Sequence, residues 1–377
     1  MKIHLVLILP VLIRGVCCII KNVSSSVSNH MTAHSPFLFV HNKYKRNRNF
    51  KLKNNKDENN FINIYTVKNP LKCKVVDKIN LVRPNSPNEV YHLEINHNGL
   101  FKYVEGHTCG IIPYYNEHDN KTNKEINKDN NIINTNNNNT INNNTINNNI
   151  SAINIKKQLC ARLYSISSSN NTENLSVAVK IHKYKQKEND SNITNYGYCS
   201  GFIKNLKIND DIYLTGAHGY FNLPNDAIQK NTNFIFIATG TGISPYISFL
   251  KKLFAYDHNN INNRNSNYTG HITIYYGVYN EDSILYLNEL EYFQKMYPNN
   301  INIHYVFSYK QNSDATSFYV QDEIYKRKTE FLNLFNNYKC ELYICGHKSI
   351  RYKVMDILKS DDQFDANKKK RVHVEVY

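Results

Sequence analysis

Residues 234–245 read Phe-Ile-Phe-Ile-Ala-Thr-Gly-Thr-Gly-Ile-Ser-Pro. Phe234–Ala238 is an unbroken apolar run, the pattern of a strand buried on both faces of a parallel sheet. Ile243–Phe254 continues with helical spacing, and Pro245 falls in the first helical turn, where its missing N–H costs nothing. Between them Gly240 and Gly242 permit a tight turn and a close approach to the backbone. A strand, a glycine turn and a helix in that order present free N–H groups and a positive helix end to a pyrophosphate. That setting, more than the glycines alone, marks a dinucleotide site. It is not a Walker loop, because no Gly-Lys-Ser/Thr follows.

The rhythm continues toward the C-terminus. His271–Gly277, Ile303–Ser308, Glu341–Cys345 and Val372–Val376 read as strands, and Leu285–Met296, Gln321–Phe335 and Ser349–Leu358 as helices. Alternating strand and helix predicts a doubly wound parallel sheet over residues 230–377. Toward the N-terminus the pattern changes. Lys74–Ile79, Glu89–Ile95, Thr108–Ile112, Leu175–Ile181 and Asp211–Leu214 are short alternating or β-branched runs bounded by Asn, Gly and Pro. They predict an antiparallel β-barrel over residues 61–229, with the boundary near Gln229–Asn233. About half of residues 116–149 are Asn, so this tract is expected to be a disordered insertion in a loop of the barrel. His258–Tyr268 reads as a smaller polar break.

The chain has 377 residues and a formal net charge of +15. Taken whole, that charge points to nucleic acid, but its distribution does not. Residues 1–60 carry ten Lys/Arg and two Asp/Glu, a net of +8, which leaves +7 on the other 317 residues. Residues 1–20 combine Lys2, a short apolar core broken by Pro10, and small residues near Gly15, as a signal peptide does. Residues 21–60 are basic, hydroxyl-rich and free of acid before Asp57, as a transit peptide is. The two together predict a plastid of apicoplast type reached through the secretory route. The apolar core is too short to span a bilayer, so no stable membrane insertion is expected after leader removal. No glycine period or long heptad run exists, which excludes collagen and coiled coil. No CxxC pair exists, so zinc ribbons and thioredoxin-like redox chemistry are unsupported.

Two further stretches carry chemistry. Arg162-Leu163-Tyr164-Ser165 offers a cation for phosphate, an aromatic ring for a planar cofactor and a hydroxyl. Gly197-Tyr198-Cys199-Ser200 offers backbone N–H groups at a helix start. Alone, the first is an amphipathic strand and the second a turn. In combination with Tyr103-x-Glu105-Gly106, Gly216–Leu223, Thr239–Pro245, Tyr276-Gly277-Val278, Ser308, Tyr343-x-Cys345-Gly346 and the terminal His373-Val374-Glu375-Val376-Tyr377, the chain resembles plant-type ferredoxin–NADP⁺ reductases over about residues 70–377.

The resemblance implies an FAD-binding barrel, an NADP(H)-binding α/β domain and a small acidic iron–sulfur protein, ferredoxin, as partner. It implies that Arg162 contacts the FAD pyrophosphate, that Tyr164 stacks on one flavin face with Leu163 beside it, and that Ser165 bonds near the reactive flavin nitrogen. Gly197, Tyr198, Cys199, Ser200 and Thr241 would complete the FAD side. Tyr377 would cover the other flavin face and yield to nicotinamide, Cys345 would help place the hydride-carrying carbon, and Glu375 would assist proton supply. For NADP(H), Gly240, Thr241, Gly242 and Pro245 would hold the pyrophosphate. Ser308, Lys310, Tyr319, Gln321, Cys345, Gly346 and His347 would line the rest.

One stretch departs from the family. Ser-Arg-x-Gln commonly grips the 2′-phosphate, whereas this chain has Ser308-Tyr309-Lys310-Gln311. Lys310 supplies a point charge in place of a bidentate fork, so NADPH is expected to be preferred over NADH by a narrower margin. His347 is either a nucleotide contact or a surface-loop residue. Lys72, Lys74, Lys78 and Arg83 are candidate ferredoxin contacts, steered by the residual positive charge. The alternative reading is a related NADPH-dependent flavin reductase with another acceptor. The absence of Trp and the terminal Tyr377 speak against diflavin versions, whose flavin-covering residue is usually Trp.

Overall fold

A computed structural model describes residues 64–113, 160–170, 173–188, 191–255, 266–309, 318–337 and 339–377. The leader and the Asn-rich tract lie outside the described residues, as does most of the second polar break. Its last residue, Tyr268, is buried and donates its hydroxyl to Thr232 O at 2.7 Å, so that end is packed, not looped out.

The N-terminal half is one antiparallel sheet. Its strands are β1 (Leu71–Asn80), β2 (Val90–Asn96), β3 (Thr108–Ile112), β4 (Arg162–Ser165), β5 (Asn174–Lys180) and β8 (Asp211–His218), in the order β4-β3-β8-β1-β2-β5. An antiparallel bridge between Ile166 and Val177 joins the two ends and closes the sheet as a barrel. The alternation that predicted β1 does the packing: Leu71, Cys73 and Val75 point inward while Lys72 and Lys74 face solvent. Leu93, Ile95, Ile111, Val177 and Leu214 complete that core.

Two elements here left little trace in the sequence. β6 (Lys183–Glu188) and β7 (Ser191–Tyr196) form a separate hairpin in unbroken register. Its strands, KYKQKE and SNITNY, have no apolar alternation, so only main-chain pairing reveals them. The eight-residue helix α1 (Tyr198–Asn205) follows directly.

The C-terminal half is a five-stranded parallel sheet. β9 (Asn233–Thr239), β10 (Ile272–Val278), β11 (Ile301–Phe307), β12 (Cys340–Gly346) and β13 (Val372–Val376) lie in the order β11-β10-β9-β12-β13. Phe234 and Phe236 enter one apolar layer, with Tyr246 and Phe249 of α2 (Ser244–Leu253) and with α3 (Leu287–Met296). Ile235 and Ile237 enter the opposite layer, beneath α4 (Val320–Lys326), α5 (Lys328–Asn336) and α6 (Lys348–Lys359). A strand with apolar side chains on both faces therefore sits at the centre, which is why its sequence does not alternate.

The helix expected over Gln321–Phe335 is two helices hinged at Arg327. Phe331 and Phe335 keep the apolar face across the break, so periodicity located the face but not the one-residue interruption. A short helix, α7 (Ala366–Lys370), precedes β13. Among the described residues no helix is long and apolar enough to cross a membrane.

Candidate active site

The chain runs from β9 outward to β10 and β11, then returns past β9 to β12 and β13. The direction reverses between β9 and β12, and in open α/β sheets ligands bind at that point, beyond the C-terminal strand ends. Thr239, Gly346 and Tyr377 all lie there. Gly240 takes a positive φ of 52°, and a Cβ built on it would meet no heavy atom within 4 Å, so the turn is open on that side. Gly242 is opposite in character: a Cβ would lie 2.3 Å from Cys345 O. Glycine there lets β12 and the turn touch. The first turn of α2 contains no acid and no side-chain cap, so its N–H groups and positive end remain available to an anion.

The C-terminal residue closes over this turn. The Tyr377 N–H donates to Gly346 O at 3.1 Å. Its hydroxyl lies 2.9 Å from Thr241 Oγ1 and donates to Thr239 O at 3.2 Å. From the other half, β4 brings Ser165 to the same place. Ser165 Oγ donates to Glu375 Oε1 at 2.6 Å, across 210 positions of sequence. Burial pushes the Glu375 carboxyl above its ordinary value, and the Ser165 hydrogen bond offsets part of that. The Cys345 thiol is fully buried, and burial, with the nearby Glu375, raises it. Ser165, Cys345, Glu375 and Tyr377 thus lie in one cluster.

Arg162 and Leu163, in the same strand as Ser165, are exposed, and Tyr184 and Tyr198 are exposed further along the barrel half. An exposed cation with exposed apolar and aromatic side chains fits a planar ring carrying a pyrophosphate. Gly197 precedes α1, which has no side-chain cap, so its backbone N–H groups can serve a phosphate. The side chains of Cys199 and Ser200 also make contacts within the protein. Cys199 is buried in the barrel core, its thiol directed at Ile111 O at 3.9 Å and pushed up to about 11 by burial. Ser200 Oγ accepts from His182 N at 3.1 Å.

The nucleotide arm is less tightly drawn together. Ser308 N–H donates to Val278 O at 3.0 Å, at the end of β11. Tyr309 stacks on Tyr279 with ring centroids 4.9 Å apart. Tyr319 is exposed at the start of α4, and Gln321 sits in that helix's first turn. Lys310 lies outside the described residues. His347 is exposed and caps α6, its Nδ1 accepting from Ser349 N, while its own N–H donates to Thr239 Oγ1 at 3.0 Å. Its backbone therefore belongs to the glycine turn and its ring to the helix cap.

Two contributors escaped the sequence reading. Glu105, from Tyr103-x-Glu105-Gly106, is buried. Its carboxylate accepts from Lys252 Nζ of α2 at 2.8 Å and from Asn170 N at 2.9 Å. This bond ties the antiparallel half to the helix that follows the glycine turn. Lys180, at the end of β5, borders a small cavity of about 50 Å³ together with Gly240 and Thr241. Desolvation lowers its ammonium pKa, and it supplies a cation beside the turn. Nothing in Val-Ala-Val-Lys distinguished it from any strand end. The candidate docking lysines have partners within the protein. Lys72 and Lys74 both pair with Asp211, at 2.9 and 2.6 Å, and Lys78 Nζ is held by the carbonyls of Lys204 and Leu206.

The barrel and the parallel-sheet switch point meet through Ser165–Glu375 beneath the terminal Tyr377, an arrangement suited to an oxidoreductase with a nucleotide on each side. Residues 236–355 match the oxidoreductase NAD-binding domain. The chain is 87% identical, over the full length of both proteins, to the apicoplast ferredoxin–NADP reductase of Plasmodium falciparum. It is 29% identical to the chloroplastic embryo isozyme of rice, over 84% of this chain and 77% of the rice protein. Its fold matches the solved ferredoxin–NADP⁺ reductase from Plasmodium falciparum with 2′P-AMP, with a TM-score of 0.69 and 79% identity, covering 85% of this chain and all of that one. The chain belongs to the ferredoxin–NADP reductase family.

Proposed function

We propose that Ser165, Glu375, Cys345 and Tyr377 form the reacting centre of an apicoplast reductase that moves electrons between NADP(H) and ferredoxin, running from NADPH to ferredoxin. The enzyme uses FAD and NADP(H). FAD held there would supply hydride acceptance and one-electron release. The observation that carries the reading is the 2.6 Å Ser165–Glu375 hydrogen bond, which makes one site from two sheets.

In this reading residues 61–229 hold FAD and residues 230–377 hold NADP(H). Arg162 and the backbone at Gly197–Ser200 bind the FAD phosphates, with Tyr164, Leu163 and Tyr198 against the rings. Gly240, Thr241, Gly242 and Pro245 present the start of α2 to the NADP(H) pyrophosphate, and Lys180 adds a cation. Tyr377 shields the flavin position from water and swings aside for nicotinamide. Glu375, raised by burial and bonded to Ser165, holds the proton that Ser165 relays. Purified protein is therefore yellow and releases FAD on denaturation. A correctly folded, colourless protein contradicts the reading.

A relative was solved with 2′P-AMP, and in this reading the 2′-phosphate meets Ser308, Lys310 and Tyr319. One charge-assisted contact from Lys310 adds about 1.5–3 kcal/mol, so kcat/KM is expected to favour NADPH over NADH by roughly 10- to 100-fold. Equal values for the two coenzymes contradict this assignment.

A further inference from the structure

A second cavity, of about 1070 Å³, lies outside the catalytic cluster and shares only Val82 with the small cavity beside the glycine turn. It lies where the outer face of the barrel, on β1, β2 and β5, meets Ile284–Leu287 and the C-terminal end of α2. That volume is in the range of pockets for small organic ligands. One wall is fixed in place. Tyr286 is buried, and its hydroxyl donates to Ser167 Oγ at 2.9 Å and lies 3.2 Å from His92 Nδ1. The wall is also tied to the parallel sheet, where Leu285 N donates to Tyr276 Oη and Tyr276 Oη donates to Gly240 O.

The charges in this cavity are unevenly satisfied. Asp77 accepts from Lys78 N at 2.7 Å, and Glu94 accepts from Asn174 Nδ2 at 2.9 Å. Lys251 lines the cavity, is only 7% exposed, and has neither a hydrogen bond nor an ion pair among the described residues. Glu289 and Glu94 lie near enough to favour its charge without pairing with it, and burial nonetheless lowers the pKa of the ammonium. Arg83 stands exposed at the rim with its side chain likewise unpaired. The stem of Lys251 is buried and its ammonium faces the cavity without an ion-pair partner among the described residues, so an anion bound there gains a direct charge contact. Around these cations the lining is apolar at Ile79, Leu81, Val82, Ile284 and Leu287.

We propose that this cavity binds an amphipathic organic anion, a carboxylate or phosphate monoester on an apolar chain, with its head on Lys251 and its chain against Leu81, Val82, Ile284 and Leu287. The ligand would bridge the two halves of the enzyme outside the electron-transfer site. Neither Lys251 nor Leu287 belongs to the catalytic cluster, so basal turnover does not depend on either.

The test is calorimetric titration of the FAD-loaded enzyme, with NADP⁺ saturating the cofactor crevice, using octanoate, octyl phosphate and 1-octanol. At least one of the two anions is expected to bind saturably with one site per chain, and the tighter of them identifies the headgroup. Octanol is expected to bind at least tenfold more weakly. Lys251→Met, which keeps the stem and removes the charge, is expected to weaken the anion at least tenfold, and Leu287→Trp, which pushes an indole into the apolar wall that holds the chain, to weaken it severalfold. Flavin absorbance and ferredoxin-dependent turnover report whether each variant is folded, so either variant decides the matter if the other fails. Absence of saturable binding by both anions, equal binding of octanol, or unchanged affinity in a folded variant overturns the proposal.

Discussion

Glu375→Gln is expected to lower kcat for NADPH-driven ferredoxin reduction by about 10²-fold, the lower end of what a positioned proton donor contributes. The amide keeps an oxygen that accepts from Ser165, so the 2.6 Å contact and the junction between the sheets survive. Only the exchangeable proton is lost. Because burial raises the Glu375 carboxyl above its ordinary 4.5, the acid form persists to higher pH than a surface glutamate allows. Wild-type kcat therefore falls as pH rises through that raised value, and the variant loses this limb of the profile.

Stability moves the other way. A carboxyl with a raised folded pKa costs nothing below its unfolded value of about 4.5, where both states are protonated, and becomes a burden as pH rises and the buried group ionises. The variant is thus expected to melt higher than wild type at pH 8 and to match it at pH 4. Unchanged turnover in Glu375→Gln removes the carboxyl from the proton route.

Tyr377→Ser is expected to tighten NADP⁺ binding about tenfold and to slow turnover. In the resting structure the phenol bonds Thr241 Oγ1 and Thr239 O, and nicotinamide must break both contacts before it can take the ring's place. At about 0.5–1.5 kcal/mol each, their loss in the variant removes a standing cost from coenzyme binding. The backbone bond from residue 377 to Gly346 O is retained, so β13 keeps its seat. Tighter coenzyme then dissociates more slowly, and kcat drops. The measurement is NADP⁺ affinity by flavin difference absorbance alongside steady-state turnover. Unchanged values of both contradict a displaceable cover.

Much of this architecture is legible in the sequence because it rests on local patterns. FIFIA is apolar at every position because Phe234 and Phe236 feed one layer and Ile235 and Ile237 the other. The glycine turn is readable because Gly242 must pass Cys345 O at a distance no side chain permits. The polar hairpin at residues 183–196 was invisible for the converse reason: main-chain pairing holds it, and main-chain pairing leaves no mark on composition.

At the site, the terminal Glu-Val-Tyr could be found from motif order, but the work of Glu105 and Lys180 could not. Each acts on a residue far along the chain, Glu105 on Lys252 and Lys180 beside Gly240 and Thr241, and only the packing of the halves brings them together. Cys199 is likewise placed by packing, its thiol in the barrel core and directed at Ile111 O.

The most direct measurement of the whole account is the reduction of oxidised ferredoxin by the FAD-loaded enzyme with NADPH as donor, followed as loss of iron–sulfur absorbance. The account predicts catalytic reduction that requires both the enzyme and NADPH and that falls about 10²-fold in Glu375→Gln. Flavin reduction by NADPH with no electrons reaching ferredoxin would contradict it and return the chain to the reading in which another acceptor takes ferredoxin's place.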